Sequence, residues 1–324
     1  MSSKPEAAVS KKKIGKFLSK YSIYIAFLVL FIALSLSSDV FLTPTNIANI
    51  FKQISVIGII AVGMTFVIVT GGIDLSVGAV LALAACMATS FAKADTTHSL
   101  AFSYLMGILM GLACGAFSGF FIAFLNVPPF IATLATMTIA RGINFVYTDG
   151  RPITGLTEAY RYIGRESILG IPVAVIIYAV IILIGVFFLS FTKFGRHVYA
   201  VGGNEKAAIV SGIKTKYIKF MCYVISGLSA AMAGILLSSR IATGQPAGGE
   251  GYELDAITAV VIGGASLSGG CGHVFGSVIG MLIIGIMTNG LDLLNVSSYY
   301  QQVIKGIIIL AAVLSDRKSA NDRL

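Results

Sequence analysis

Long apolar runs constrain the fold of this chain more than any other feature of its sequence. The 324 residues are 56% hydrophobic and 11% charged, whereas a soluble domain has about 25% charged residues. An apolar run of about 18 residues favours a membrane-crossing helix, because a helix satisfies its own backbone hydrogen bonds in lipid. The sequence therefore predicts an all-α polytopic membrane protein with about ten transmembrane helices, near residues 21–38, 51–70, 76–92, 101–125, 129–147, 171–191, 218–239, 253–268, 274–291 and 300–315.

Lysine and arginine are distributed unevenly between these runs, and cytoplasmic loops are the ones rich in them. Residues 1–20, 192–219 and 316–324 hold six, six and three of these side chains. We therefore expect a basic cytoplasmic N-terminus at 1–20, a transmembrane domain at 21–315 with a cytoplasmic loop at 192–219, and a cytoplasmic tail at 316–324. This topology accounts for the net charge of +9, so no nucleic-acid partner is predicted.

The loop Thr192–Lys219 is polar and too long for a simple turn. Within it, the pattern from Asn204 to Gly212 predicts a short helix. Asn204 suits the N-cap, Glu205 lies at the positive end of the helix dipole, and Gly212 can end the helix in a left-handed conformation. The residues alone leave two interpretations open: a helix that docks a partner, or a solvated loop with a helical turn.

Two glycine-rich segments follow apolar runs and resemble each other. Residues 71–78 read GGIDLSVG and residues 263–270 read GGASLSGG, with five of eight positions identical, which makes them a candidate internal repeat. Irregular backbone at membrane depth is tolerated only where it is buried in protein or lines a cavity. The candidate pathway or gating residues are Gly71, Gly72, Asp74, Ser76, Gly263, Gly264, Ser266 and Ser268.

Asp74 has two open interpretations. Within the membrane a carboxylate is costly and marks function, whereas at the membrane boundary it can cap the following helix.

Polar side chains within or near the apolar runs form a further candidate set. Arg141 and Lys305 can pair with a carboxylate, line a polar passage or extend to the interface. Amide groups suit a polyhydroxylated solute, although hydrogen bonds between helices use them too. The polar candidates are Asn126, Arg141, Asn144 and Asn289.

The chain contains no G-x-x-x-x-G-K-[ST] motif, no metal-binding spacing and no nucleophile elbow. We therefore expect no metal, no cofactor bound by this chain and no catalytic activity of its own. If a nucleotide drives its function, another subunit must bind that nucleotide.

Four long motifs carry a resemblance to a known family. They are TGGIDLSVGAVLAL (70–83), GRHVYAVGGNEKAAIVSGI (195–213), QPAGGEGYELDAITAVVIGGASLSGG (245–270) and NGLDLLNVSSYYQQVIKGIIILAAV (289–313). Together they make the chain similar to the permease subunits of bacterial monosaccharide ABC importers, and most similar to the members that transport ribose. The resemblance covers nearly all of the chain after its first twenty residues.

The resemblance implies the following partners. Two copies of the permease form the pore in the bacterial cytoplasmic membrane, and a cytoplasmic ATPase with two nucleotide-binding modules carries ATP and Mg. A periplasmic or lipid-anchored binding protein delivers the monosaccharide. Its expected docking charges are Arg151, Glu250 and Glu253, although solvated loop charges would look the same.

The resemblance also implies that the loop at 192–219 carries a coupling helix that contacts the ATPase. In this sequence the contact residues would be Gly203, Asn204, Glu205, Lys206, Ala207, Ala208, Ser211 and Gly212. We expect the side chains from Glu205 to Ala208 to face the ATPase.

The alternative function is a secondary sugar transporter driven by an ion gradient. Such a protein would use intramembrane carboxylates for coupling. The candidates for that role are Asp74, Asp255 and Asp292, all near the ends of predicted spans.

Overall fold

The computed structural model describes residue 25 and residues 27–321, which are mostly helical. The helices are α1 (Phe27–Ser37), α2 (Pro44–Val69), α3 (Val77–Ser90), α4 (Leu100–Phe124), α5 (Pro129–Thr148), α6 (Glu158–Arg165), α7 (Val173–Val186, continued by a π-turn at Phe187–Phe191), α8 (Lys193–Gly203), α9 (Glu205–Val210), α10 (Thr215–Ile241), α11 (Tyr252–Ile262), α12 (Val274–Leu293) and α13 (Ser298–Asn321). Strands β1 (Ser167–Ile168) and β2 (Ile171–Pro172) form an antiparallel hairpin. The predicted basic segment 1–20 lies outside the described residues.

Six of the described helices are long and apolar enough to cross a membrane, namely α2, α4, α5, α7 with its π-turn, α10 and α12. The predicted class, a helical polytopic membrane protein, is thereby confirmed. The predicted span at 253–268 is wrong as a continuous helix, because α11 has only 11 residues. At about 1.5 Å per residue it covers about half of a hydrocarbon core of roughly 30 Å.

The long helix α10 defines two ends of the bundle. Near its start, Lys219 forms an ion pair with Glu205 of α9. At its other end, the backbone NH of Gly164 in α6 donates to the Ser239 hydroxyl. We call these ends the α9 end and the α6 end.

Helix α2 lies at the centre of the bundle. Thr43 caps its start by accepting a hydrogen bond from the backbone NH of Asn46, and every residue from Ile54 to Val69 is buried. Because this stretch is apolar on all sides, it is stable only when other helices surround it.

Glycines on one face of α4 allow close packing on α10. A methyl group at Gly111 would overlap the carbonyl of Gly227, and one at Gly115 would overlap the carbonyl of Tyr223. The four-residue spacing predicts such a face, and here it packs within one chain, as small-residue faces do between membrane helices.

The connecting segments contain two helices that the apolar pattern did not indicate. Thr157 caps α6, and Leu169 and Gly170 both have positive φ in the turn of the hairpin that follows.

Helix α8 fills most of the first half of the loop 192–219, for which only a helix near 204–212 was predicted. Its signal was present in the apolar residues Phe194, Val198 and Val201, spaced four and three apart.

Candidate coupling helix and helix breaks

Helix α8 packs tightly on the end of α2. Thr192 caps its start by accepting from the NH of Gly195, and Val198 and Val201 are buried. Its second-last residue, Gly202, lies so close to α2 that a methyl group there would overlap the carbonyl oxygen of Val69. The α8 backbone is thereby fixed to the core, and it carries α9 at its C-terminal end.

Helix α9 has the predicted caps at both ends. The Asn204 side-chain oxygen accepts from the NH of Ala207 at 3.0 Å, and Gly212 has φ +81°. The NH of Ile213 donates to Ala208 and that of Gly212 to Ile209, which is the Schellman arrangement. The prediction of a short capped helix is therefore confirmed.

The exposed face of α9 differs from the predicted one at Ala208. This side chain is only 4% exposed and packs on the core, so it does not face a partner, and that part of the prediction is wrong. The outward residues include Lys206 and Ala207, together with Val210, which is 89% exposed. Gly203, Asn204, Ser211 and Gly212 are exposed as well.

Glu205 is held by an ion pair rather than left free. The Lys219 ammonium donates to its carboxylate at 2.6 Å, with both side chains partly exposed. The pair ties the start of α9 to α10, and its net energy is small because water screens it.

The loop after α11 is held both by α8 and by the end of α2. The Tyr199 hydroxyl of α8 donates to the carbonyl of Gly272 at 2.6 Å, and the NH of Gly270 donates to Val69 at 2.9 Å. Burial raises the pKa of the Tyr199 phenol, with the nearby Cys271 adding to the effect, so this phenol remains a neutral donor. A displacement of α8 must therefore displace the 263–272 loop too.

The two glycine-rich segments end their helices in the same way. At the end of α2, Gly71 has a positive φ and the NH of Gly72 donates back to Val67. At the end of α11, Gly264 has the positive φ and Ala265 donates back to Val260. Both are Schellman ends. The residue with positive φ is the first glycine of 71–78 but the second glycine of 263–270, so the structural match is offset by one residue from the sequence match.

The chain after α2 turns back into the bundle as an extended segment, where Asp74 is buried. One Asp74 oxygen accepts from the backbone NH and the hydroxyl of Ser76, and the other accepts from the Ser226 hydroxyl of α10 at 2.7 Å. This geometry stabilises the start of α3 and binds it to α10. The hydrogen bonds from Ser76 match the interpretation that Asp74 caps the following helix, although Asp74 lies inside the bundle.

The chain enters the bundle again from the α6 end through residues 245–251, a series of turns that leads into α11. Its Gly249 carbonyl and the Glu253 carboxylate lie against Gly78, next to the start of α3. The starts of two short helices therefore meet inside the bundle, where their backbone NH groups produce a positive potential.

Two polar side chains of α5 satisfy the carbonyls of this segment. One Arg141 nitrogen donates to Pro246 at 2.9 Å and to Gly248 at 3.0 Å, and Asn144 donates to Pro246 at 3.0 Å. The predicted docking residue Glu253 lies beside them inside the bundle, so we do not retain it as an outer docking charge.

The remaining predicted residues are spread over the molecule. Asn289 exchanges two hydrogen bonds with Asn46, which ties α12 to α2. Asn126 lines a cavity of about 170 Å³ at the α9 end with Gly71, Gly72 and Lys219. Ser266 is buried and Ser268 is exposed in the loop after α11. Arg151 is exposed beside Asp149.

The chain matches a family model over residues 46–313, a range that includes both helix breaks and α9. The model describes the permease component of the branched-chain amino acid transport system. The chain belongs to this permease family.

The names of individual relatives of the permease are more specific than the family description. It is 50% identical to the ribose import permease protein of Bacillus subtilis over 95% of this chain and 94% of the relative. It is 46% identical to that of Escherichia coli strain K12 over 91% and 92%, and 39% identical to the D-allose transport system permease protein of that strain over 96% and 97%. No solved structure matches the chain.

Proposed function

We propose that the permease is the membrane subunit of an ATP-driven importer that carries a monosaccharide, ribose, into the cytoplasm. The observation that carries this function is the geometry of α9, a capped and exposed helix at the end of α8, which itself contacts both helix breaks through Gly202 and Tyr199. Such an element suits force transmission from a partner better than a solvated loop does. The choice of ribose rests on the relatives named above.

Ten crossings follow if α3 is counted with the extended segment before it and α11 with the turns at residues 245–251. Together with α1, α2, α4, α5, α7, α10, α12 and α13 they alternate in direction. The six Lys and Arg residues of 192–219 support a cytoplasmic α9 end in a bacterial cytoplasmic membrane. Both termini then lie in the cytoplasm.

Two copies would form the pore, and the ATPase would hold ATP and Mg. Its nucleotide modules approach each other when ATP binds, and the exposed face of α9 moves with them. Because Gly202 contacts Val69 and Tyr199 contacts Gly272, this motion reaches α2 and the end of α11. The sugar path through the pore then closes on one side of the membrane and opens on the other. A sugar-binding protein would dock at the α6 end, where Arg151 is exposed.

The ion-gradient alternative receives less support, because each candidate carboxylate has a structural partner. Asp74 accepts from Ser76 and Ser226, and Asp255 pairs with Lys305 at 2.9 Å. Asp292 accepts from Gln301 at 2.7 Å. In all three geometries a partner side chain engages the carboxylate, which is therefore not positioned to bind a transported ion.

The test of the coupling role is Val210→Asp, which places a charge on the exposed apolar part of α9 without disturbing the core. We expect binding of the ATPase to the purified permease to weaken at least tenfold. Leu169→Asp, at the 97% exposed hairpin tip, is the matched control and leaves ATPase binding unchanged. Equal ATPase affinity of the wild type and Val210→Asp would contradict the assignment.

A further inference from the structure

Charged side chains of three helices converge around the start of α11, away from α9 and its contacts. Arg141 belongs to α5, Glu253 and Asp255 to α11, and Lys305 to α13. Arg141 and Lys305 are far apart in sequence, so only the fold brings these groups together.

These groups line two cavities that share one wall. The first, of about 440 Å³, is lined by Thr138, Arg141 and Phe145 of α5 on one side and by Ala247, Glu250 and Glu253 on the other. The second, of about 630 Å³, also contains Glu250 and Glu253 and extends to Gln302 and Lys305 of α13. Both fall in the range of small-molecule sites, roughly 300–1,000 Å³.

The cavities lie at membrane depth. Arg141 is twelve residues from the start of α5 and seven from its end, which corresponds to about 18 Å and about 10 Å along the helix. Glu253 contacts Gly78 near the start of α3, so it lies a whole α3 length below the α6 end. Charged groups at this depth require protein or water around them, since lipid does not solvate them.

The geometry of the charges is fixed by contacts on one side only. Two carbonyls of the 245–251 segment hold the Arg141 guanidinium, and the NH of Gly251 donates to Glu253. Lys305 is fixed by Asp255. These side chains line one or both cavities, where a guanidinium can donate and carboxylates can accept.

The combination suits a neutral polyhydroxylated ligand. Each sugar hydroxyl can donate to Glu250 or Glu253 and accept from Arg141, while the Phe145 ring offers an apolar face for the C–H groups of the sugar. The site carries two positive side chains, Arg141 and Lys305, and three negative ones, Glu250, Glu253 and Asp255, so it favours a neutral solute over an anion. An apolar solute would leave the charged groups without partners.

We propose that the paired cavities between α5, α11 and α13 are the part of the sugar path that each of the two copies contributes, with Arg141, Glu250 and Glu253 as contacts of the sugar. This proposal rests on the proposed import function and assigns it a location. The site lies next to the end of the 245–251 segment, and α11 connects it to the loop that contacts α8. Movement of α9 would therefore reach the site through α8, the 263–272 loop and α11.

The first test compares two cysteine variants on opposite faces of α5. Thr138→Cys lies in the first cavity, and Ile143→Cys is exposed on the opposite face. The complete complex in membranes is treated with a charged, water-soluble thiol reagent. We expect Thr138→Cys to react at least tenfold faster than Ile143→Cys, and ribose import to slow this reaction. Equal rates, or no reaction at Thr138→Cys, would overturn a water-filled path here.

The second test measures the amount of ribose imported for each ATP hydrolysed, in vesicles with the ATPase and the binding protein. The double variant Glu250→Gln with Glu253→Gln keeps the side-chain shapes and removes both charges. We expect the ratio to fall at least fivefold, with assembly and stimulated hydrolysis retained. The control Glu158→Gln, on exposed α6, keeps the wild-type ratio.

An unchanged ratio in the double variant would refute the proposed site, and so would a parallel loss of assembly and hydrolysis. The proposed function fails in a different way, namely if the wild-type complex shows no ATP-dependent ribose uptake. The cysteine reactivities then still report whether the cavity is open to water.

Discussion

At the scale of single residues, Gly202 shows most clearly how the coupling loop is attached. A methyl group there would overlap the Val69 carbonyl, whereas one on the next residue, Gly203, would meet no atom within 4 Å. Helix propensity favours alanine over glycine by about 1 kcal/mol in a helix interior. Any loss of stability at Gly202 must therefore come from packing.

We predict that Gly202→Ala lowers the free energy of unfolding by about 1–3 kcal/mol, the usual cost of overpacking, and that Gly203→Ala does not lower it. Thermal unfolding of the two variants in the same detergent measures the difference. If both variants unfold at the wild-type temperature, α8 does not pack backbone to backbone on α2.

Asp74 shows where residue patterns stop being informative. Its two hydroxyl donors lie two residues away, on Ser76, and 152 residues away, on Ser226. The local donor is visible in the sequence and suggests the cap. The distant donor depends on α10 packing beside the break, and no local pattern contains that information.

At the scale of elements, α9 was predictable because both of its caps are local. Asn204 and Gly212 lie at the ends of the segment that they fix, so the sequence alone indicated the helix. The inward position of Ala208 was not predictable, because it depends on how α8 places α9 against the core. The pairing of Arg141 with the 246–248 carbonyls, 105 residues away, was hidden for the same reason.

The N-cap of α9 supports a prediction about its docking role. Asn204→Ala removes the side-chain acceptor and destabilises a helix end by about 1 kcal/mol, whereas Asn204→Ser keeps an acceptor. We expect weaker ATPase binding for the alanine variant and near wild-type binding for the serine variant, measured by titration of the purified permease. Equal affinities of the two variants would show that the cap has no part in docking.

At the scale of the whole molecule, the apolar pattern predicted the helical membrane class because composition alone decides it. The half-length helices were less visible, since the non-helical segments before α3 and α11 are themselves short and rich in small residues. The starts of α3 and α11 meet inside the bundle because α2, α5 and α10 pack around them. Transport would therefore link four regions of the chain: the exposed helix α9, the two helix breaks and the polar cavities.

Uptake of ribose into vesicles that contain the permease, its ATPase and its binding protein tests this account most directly. We predict uptake that requires ATP and all three proteins, and that is lost in Val210→Asp. The account would be contradicted by uptake that continues without the ATPase and follows an imposed proton or sodium gradient.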